Sequence, residues 1–274
     1  MSRVSIFLAG LIVFILAAAL HGPAWAQQER VVEIPTRPGQ SVRALQITPQ
    51  SPKGAVILLA GGHGNLELGK DGRLGWGAGN QLVRSRRMYA EAGYITLVPD
   101  IAADLKRPGG VVPRYRWSAA HAADIGALVT HLRTTVQPVH LIGTSRAALS
   151  VANAAARTQG TAKPDTLVIT SGMLMHERDG SPSVQRVVRG LDTITQPVLL
   201  IAHTDDACRV TPASAPKRFA PLLTHARRVD IKLLSGGGPA SGAACEASGF
   251  HGFKGIDATV VRTVVDWLQT TPVR

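Results

Sequence analysis

The strongest constraint on this chain is a recurring pattern: short apolar runs, each followed by a longer segment of helical periodicity. "GAVILLA" (54–60), "YITLVPD" (94–100), "PVHLIG" (138–143), "DTLVIT" (165–170) and "PVLLIAH" (197–203) lack the polar–apolar alternation of a strand with one wet face. They read as strands covered on both sides. Helical segments are predicted at 80–92, 118–134, 146–158, 213–225 and 256–269. Strand, helix, strand in repetition implies a mostly parallel sheet with right-handed crossovers and helices on both faces. Three further runs, "VVEIP" (31–35), "VRALQI" (42–47) and "VDIKLL" (229–234), bring the reading to eight strands. The first two are joined through the Pro38-Gly39 of "TRPGQS", as an antiparallel hairpin at one edge. In such sheets ligands bind beyond the carboxyl ends of the strands, and the search for chemistry starts there.

The N-terminus follows a different logic. Arg3 precedes an apolar run from Ile6 to Leu20, and Ala24-Trp25-Ala26 follows, which is the order of a secretory signal peptide cleaved after Ala26. The alternative is an N-terminal membrane anchor, because the run and its flanks approach the roughly 20 residues that span a bilayer. The small-residue site favours cleavage, and with it a periplasmic or secreted protein without stable membrane insertion. Removing 1–26 leaves residues 27–274, a length that suits a single α/β domain.

A hydrophobic share of 45% with 18% charged residues is a globular composition, which excludes disorder. The formal charge of +12, +11 without Arg3, suits anionic substrates or surfaces, or simply solubility. The cations are scattered and aromatics make up 4%, so the basic stripe and stacking platform of a nucleic-acid binder are missing from the sequence. No His/Cys cluster has zinc spacing, and no cofactor is expected. Oligomeric state is left open.

Ser145 lies in "LIGTSRAALSVANAAA", just past an apolar run and just before a helix-forming one. That is the setting of a nucleophile elbow, a tight strand-to-helix turn that points Oγ outward. Ala147 replaces the last glycine of the usual G-x-S-x-G pattern and is small enough to pack there. The competing role for Ser145 is a helix N-cap, and the remaining residues weigh against it. A serine hydroxyl needs a base, and the base needs a carboxylate to orient it. "HTDDAC" places Asp205 and Asp206 just past the strand ending at 203, and "GFHGF" places His251 in a glycine-flanked loop before the last helix. Asp206 is favoured as the acid, with Asp205 as a turn former and still the alternative. His203 is the rival base; His63, His121, His131 and His140 are assigned structural roles.

Cys208 lies two residues after Asp206 and Cys245 six before His251. An even count in an exported chain predicts a disulfide that ties the acid loop to the histidine loop. Acyl transfer also needs two backbone N–H donors for the oxyanion. Arg146 follows the serine, and "AGGHGN" after the third strand offers Gly62 as first choice, with His63 next.

Taken in order, "GGHG", "GTSRA", "HTDDAC" and "FHGF" resemble the α/β-hydrolase superfamily over most of the mature chain, closest to exported bacterial members with a Cys after the acid and a second Cys before His-Gly-Phe. The resemblance implies Ser145 as nucleophile, Asp206 as acid and His251 as base, and implies no substrate. The function expected is an exported serine hydrolase cleaving a small-molecule ester, thioester or amide. A non-catalytic envelope binding protein on the same fold is the alternative. The segments 65–80 and 172–195 are the expected pocket covers, short enough for an open site; Trp76, Met173 and Met175 are candidate lining residues within them, with plain packing the favoured role of each. Arg114 and Arg116 are candidates for steering an anionic substrate, with a place in a solvated loop the favoured reading.

Overall fold

The computed structural model describes residues 28–108, 110–175 and 181–273. The expected signal peptide, residues 1–26, lies outside the described residues. The N-terminal hairpin is β1 (Glu29–Arg37) and β2 (Gln40–Ile47), paired antiparallel from Glu29↔Ile47 to Arg37↔Gln40. Gly39 sits in its turn at φ +69°, a conformation that costs glycine little. β2 continues antiparallel onto β4 (Ile95–Pro99).

From β4 onward the sheet is parallel. β4 pairs with β3 (Ala55–Leu59), then come β7 (Val139–Thr144), β8 (Thr166–Thr170), β9 (Val198–His203) and β10 (Val229–Leu234). Every residue of β3, β4, β7, β8 and β9 is buried, which is why these strands read as continuous apolar runs. β10 is the far edge, and its Leu233 is 55% exposed. A separate two-stranded ribbon, β5 (Lys106–Arg107) with β6 (Gly110–Val111), was not foreseen; strands of two residues carry no periodicity.

Two apolar clusters cover the sheet's faces. On one, α3 (Ala119–Arg133) and α4 (Ala148–Arg157) bury Ile125, Leu128, Leu132, Leu149 and Val151, joined by α5 (Val184–Val187) and α6 (Ala215–Phe219). On the other lie α1 (Gln81–Arg84), α2 (Arg86–Glu91) and α7 (Asp257–Thr270). The α7 stripe Val260, Val261, Val264, Val265 and Leu268 follows helical spacing, and each fully buried Val or Leu contributes about 1.5–3 kcal/mol over its exposed state.

Two helices differ from their expected length. The 80–92 segment breaks at Ser85, whose Oγ bonds back to the Gln81 carbonyl at 2.7 Å. The 213–225 segment holds a helix only over Ala215–Phe219, then a 3₁₀ turn at Ala220–Leu222, because Pro221 has no N–H to continue the ladder. Among the described residues no helix is long and apolar enough to cross a membrane.

After β3 the chain crosses to β4 on one side and returns to β7 on the other. The loops that leave β3 and β7 therefore diverge at a topological switch point, where α/β sheets open a crevice.

Candidate active site

Ser145 follows β7 and opens a 3₁₀ turn, Ser145–Ala147, that leads into α4. Its φ is +57°, a backbone conformation that costs a non-glycine residue about 1–3 kcal/mol. The turn closes tightly against its surroundings. A Cβ at Gly143 would fall 2.6 Å from Val151 Cγ2 and 3.0 Å from the Ala147 carbonyl oxygen. Ala147 itself is fully buried, so its methyl group fills the place where the usual pattern has glycine.

Two other loops reach the same point. His251 Nε2 lies 3.0 Å from Ser145 Oγ, and His251 Nδ1 lies 3.0 Å from Asp206 Oδ2. A carboxylate only accepts, so Nδ1 carries the hydrogen and Nε2 is free to accept from the serine hydroxyl. Asp206, its carboxylate fully buried, also accepts from the Cys208 N–H at 2.9 Å and from Thr211 Oγ1 at 3.0 Å. Thr211 is a residue that sequence reasoning missed. Its one signal was the Thr five residues after the acid, too common to single out.

The rivals are disposed otherwise. Asp205 is 59% exposed at its side chain, whereas adjacent Asp206 faces inward. His203 is buried; its Nδ1 accepts from the Asp205 N–H at 3.0 Å, its Nε2–H donates to the Gly236 carbonyl at 2.8 Å, and its ring stacks on Phe250. Both nitrogens are engaged. His121 and His140 are buried, and burial pushes each pKa down to about 3, with Arg116 adding to the effect at His121 and Arg133 at His140. Both are neutral core histidines, bonded to Ser150 and Thr166 respectively. His131 is exposed.

Cys208 and Cys245 form a disulfide with Cα atoms 4.7 Å apart. It joins the acid loop to the histidine loop and borders the cleft. Asp206, Cys208 and His251 offer donor atoms within 4.8 Å of one another, but the cysteine sulfur is already bonded and the other two side chains bond each other. The histidine loop has a second tie, from Arg84. Its guanidinium donates to the carbonyls of Gly252 and Ala247 while pairing with Asp257.

The cleft above Ser145 has a volume of about 470 Å³ and is open to solvent. Gly62, Trp76, Arg146 and Met173 line it, whereas Met175 packs against the core. Gly61 approaches Ser145 closely, since a Cβ there would stand 3.0 Å from Ser145 Cβ. Gly62 has φ +54°, and a Cβ would meet the Trp76 ring at 2.6 Å. His63 lies half-buried beside it, its ring tilted 37° against Trp76 with centroids 3.8 Å apart. Burial lowers its pKa, and the Arg116 and Arg146 charges act the same way. Of the segment 172–195, Met173 N–H bonds the Ser145 carbonyl and Val184 N–H bonds the Met173 carbonyl, so part of this expected cover is tied to the elbow.

No protein-family model and no curated protein matches this sequence. Solved structures do. A Pyrococcus furiosus esterase is 15% identical over 88% of this chain and 90% of its own, with a TM-score of 0.61. The dienelactone hydrolase of Anabaena variabilis is 15% identical over 88% and 97%, with a TM-score of 0.59. A cold-adapted esterase from an Arctic intertidal metagenomic library is 14% identical over 87% and 92%, at 0.52. The chain has the α/β-hydrolase fold. Within that fold Ser145, Asp206 and His251 follow β7, β9 and β10 in turn, all on the carboxyl edge of the sheet.

One expectation is corrected. Arg116 is no solvated loop residue in this α/β-hydrolase fold: it is 4% exposed, and its guanidinium is spent on Ser150 and on three carbonyls after β3. Those partners lie 34 to 56 residues away in sequence, where no local pattern reveals them. Arg114 is exposed, as expected.

Proposed function

We propose that this chain is an exported serine hydrolase that cleaves a small-molecule ester, thioester or amide through an acyl-enzyme. Ser145 Oγ attacks the carbonyl carbon while His251 Nε2 takes its proton, and the same nitrogen returns the proton to the leaving group. Asp206 holds the imidazole with Nδ1–H toward it and balances the imidazolium that forms. The N–H groups of Gly62 and Arg146 stabilise the tetrahedral oxyanion. Water, activated by His251, then releases the acid. No step calls on a metal or an organic cofactor.

The observation that carries this reading is the unbroken chain of 3.0 Å contacts from Ser145 through His251 to Asp206 at the mouth of a cleft. The esterases and the dienelactone hydrolase that share the fold support it, and the cleft of about 470 Å³ suits a small substrate. The Cys208–Cys245 disulfide supports export, since such bonds persist in oxidising compartments. On this reading residues 1–26 are removed and 27–274 form one domain. The test is labelling with a fluorophosphonate, read by intact mass, on the mature protein and on Ser145→Ala and His251→Ala. One adduct on the wild type alone is expected; a folded wild type that takes none would overturn the proposal.

A further inference from the structure

Beneath the loop that leaves β3 lies a guanidinium without an acidic counter-ion among the described residues. Arg116 Nη2 donates to the carbonyls of Ala60 at 2.8 Å, Gly61 at 3.1 Å and Gly62 at 3.2 Å, and Nη1 donates to Ser150 Oγ at 2.9 Å. The neighbouring Tyr115 hydroxyl donates to the next carbonyl, that of His63, at 2.7 Å. Four successive carbonyls are thus gripped by two adjacent side chains. Among the described residues no carboxylate pairs with Arg116, and its Nε has no partner at all. Burying an ion costs several kcal/mol unless its surroundings compensate. Here the compensation consists of three backbone oxygens, the Ser150 hydroxyl and the face of the Tyr115 ring.

A peptide unit is planar and trans, so its N–H points opposite to its C=O. Drawing the Gly61 oxygen toward Arg116 therefore turns the Gly62 N–H away from Arg116. Among the described residues that N–H has no acceptor, and Gly62 lines the cleft. Ser150 keeps the guanidinium in place: it accepts from Nη1 and bonds His121 Nε2 at 3.0 Å. We propose that Arg116, assisted by Tyr115, is the positioning residue of the oxyanion loop: it turns the Gly62 N–H toward Ser145, and its unneutralised charge polarises that donor. This inference rests on the serine-hydrolase reading above. Arg116 itself is buried, so its field reaches the donor from the protein side of the loop, and a preoriented donor needs no reorganisation as the oxyanion forms.

The experiment compares wild type with Arg116→Lys, Arg116→Met and Tyr115→Phe. Arg116→Met is expected to lower kcat by about 10²–10³-fold, the effect of losing one oxyanion donor, with KM changed less than about threefold. Arg116→Lys, which keeps the charge but not the fork, should fall between. The inhibition constant of a trifluoromethyl ketone should rise in step with the loss of kcat/KM, because that adduct carries the oxyanion. Hydrogen exchange of the 60–64 amides should speed up in the same order. A folded Arg116→Met with unchanged kcat, or with a loss confined to KM, would overturn the inference. If Arg116→Met does not fold, Tyr115→Phe decides: it should cost about 3–10-fold in kcat, and wild-type kcat together with wild-type exchange would refute the clamp. A wild type that takes no fluorophosphonate removes the serine-hydrolase reading, yet unchanged 60–64 exchange in the variants would still refute the clamp separately.

Discussion

Cutting the Cys208–Cys245 bond tests the link between fold and site most directly. The bond spans 37 residues, and on the chain-entropy model a loop of that size contributes about 3.8 kcal/mol at 25 °C by restricting the unfolded chain. For a domain of this size each kcal/mol moves Tm by about 2–4 °C, so a drop of about 8–15 °C is expected. A kinetic effect should accompany it. The Cys208 N–H bonds Asp206, and the segment from Cys245 to His251 carries the base, so release of the tie loosens a 3.0 Å contact. The assay is scanning calorimetry of the oxidised protein, the reduced protein and Cys208→Ser/Cys245→Ser, with the fluorophosphonate labelling rate measured on each. Melting within about 2 °C of the oxidised form would refute the loop-closure reasoning. A lower Tm with an unchanged labelling rate would refute the claim that the bond holds the Asp206–His251 geometry.

Three further outcomes are expected. Asp206→Asn should lower kcat by about 10⁴-fold, because the amide favours the wrong histidine tautomer, while exposed Asp205→Asn should stay near wild type; equal losses in an ester assay would contradict the assignment. His140, held neutral with a pKa of about 3, binds its proton in the unfolded chain near 6.5 and in the folded chain only near 3. Stability is therefore full above about pH 6.5 and lost as pH falls toward 3; calorimetry should show Tm declining across that window, less steeply in His140→Gln, and identical slopes would count against it. Ala147→Gly, which restores the usual elbow glycine, should cost about 0.5–1 kcal/mol of stability through chain entropy and leave kcat unaltered, so a gain in either is the contrary result.

The β-strands were legible because burial on both faces leaves a local trace: five central strands without a wet side read as unbroken apolar runs. The hairpin was legible from Pro38-Gly39, and the disulfide from two cysteines placed beside chemically suggestive loops. What local sequence could not supply was direction. Asp205 and Asp206 are chemically identical neighbours, and only the turn after β9 sends one outward and one inward. Arg116 looked like an ordinary loop cation because the oxygens that receive it come from a distant strand end. The break at Ser85 escaped for a similar reason, since a serine bonding its own helix backbone resembles any other serine in a helical run.

Of the side chains proposed for chemistry, Ser145 and Asp206 lie just past β7 and β9 and His251 in the long segment after β10, while Trp76, Met173, Glu246 and Ala247 wall the cleft. Wall and chemistry are therefore carried by different positions, even where they share the segment that holds His251. A library confined to Trp76, Gly79, Glu246 and Ala247, leaving Cys245 and the buried Leu66 and Leu68 in place, can remodel what enters the cleft without touching the strands or the disulfide.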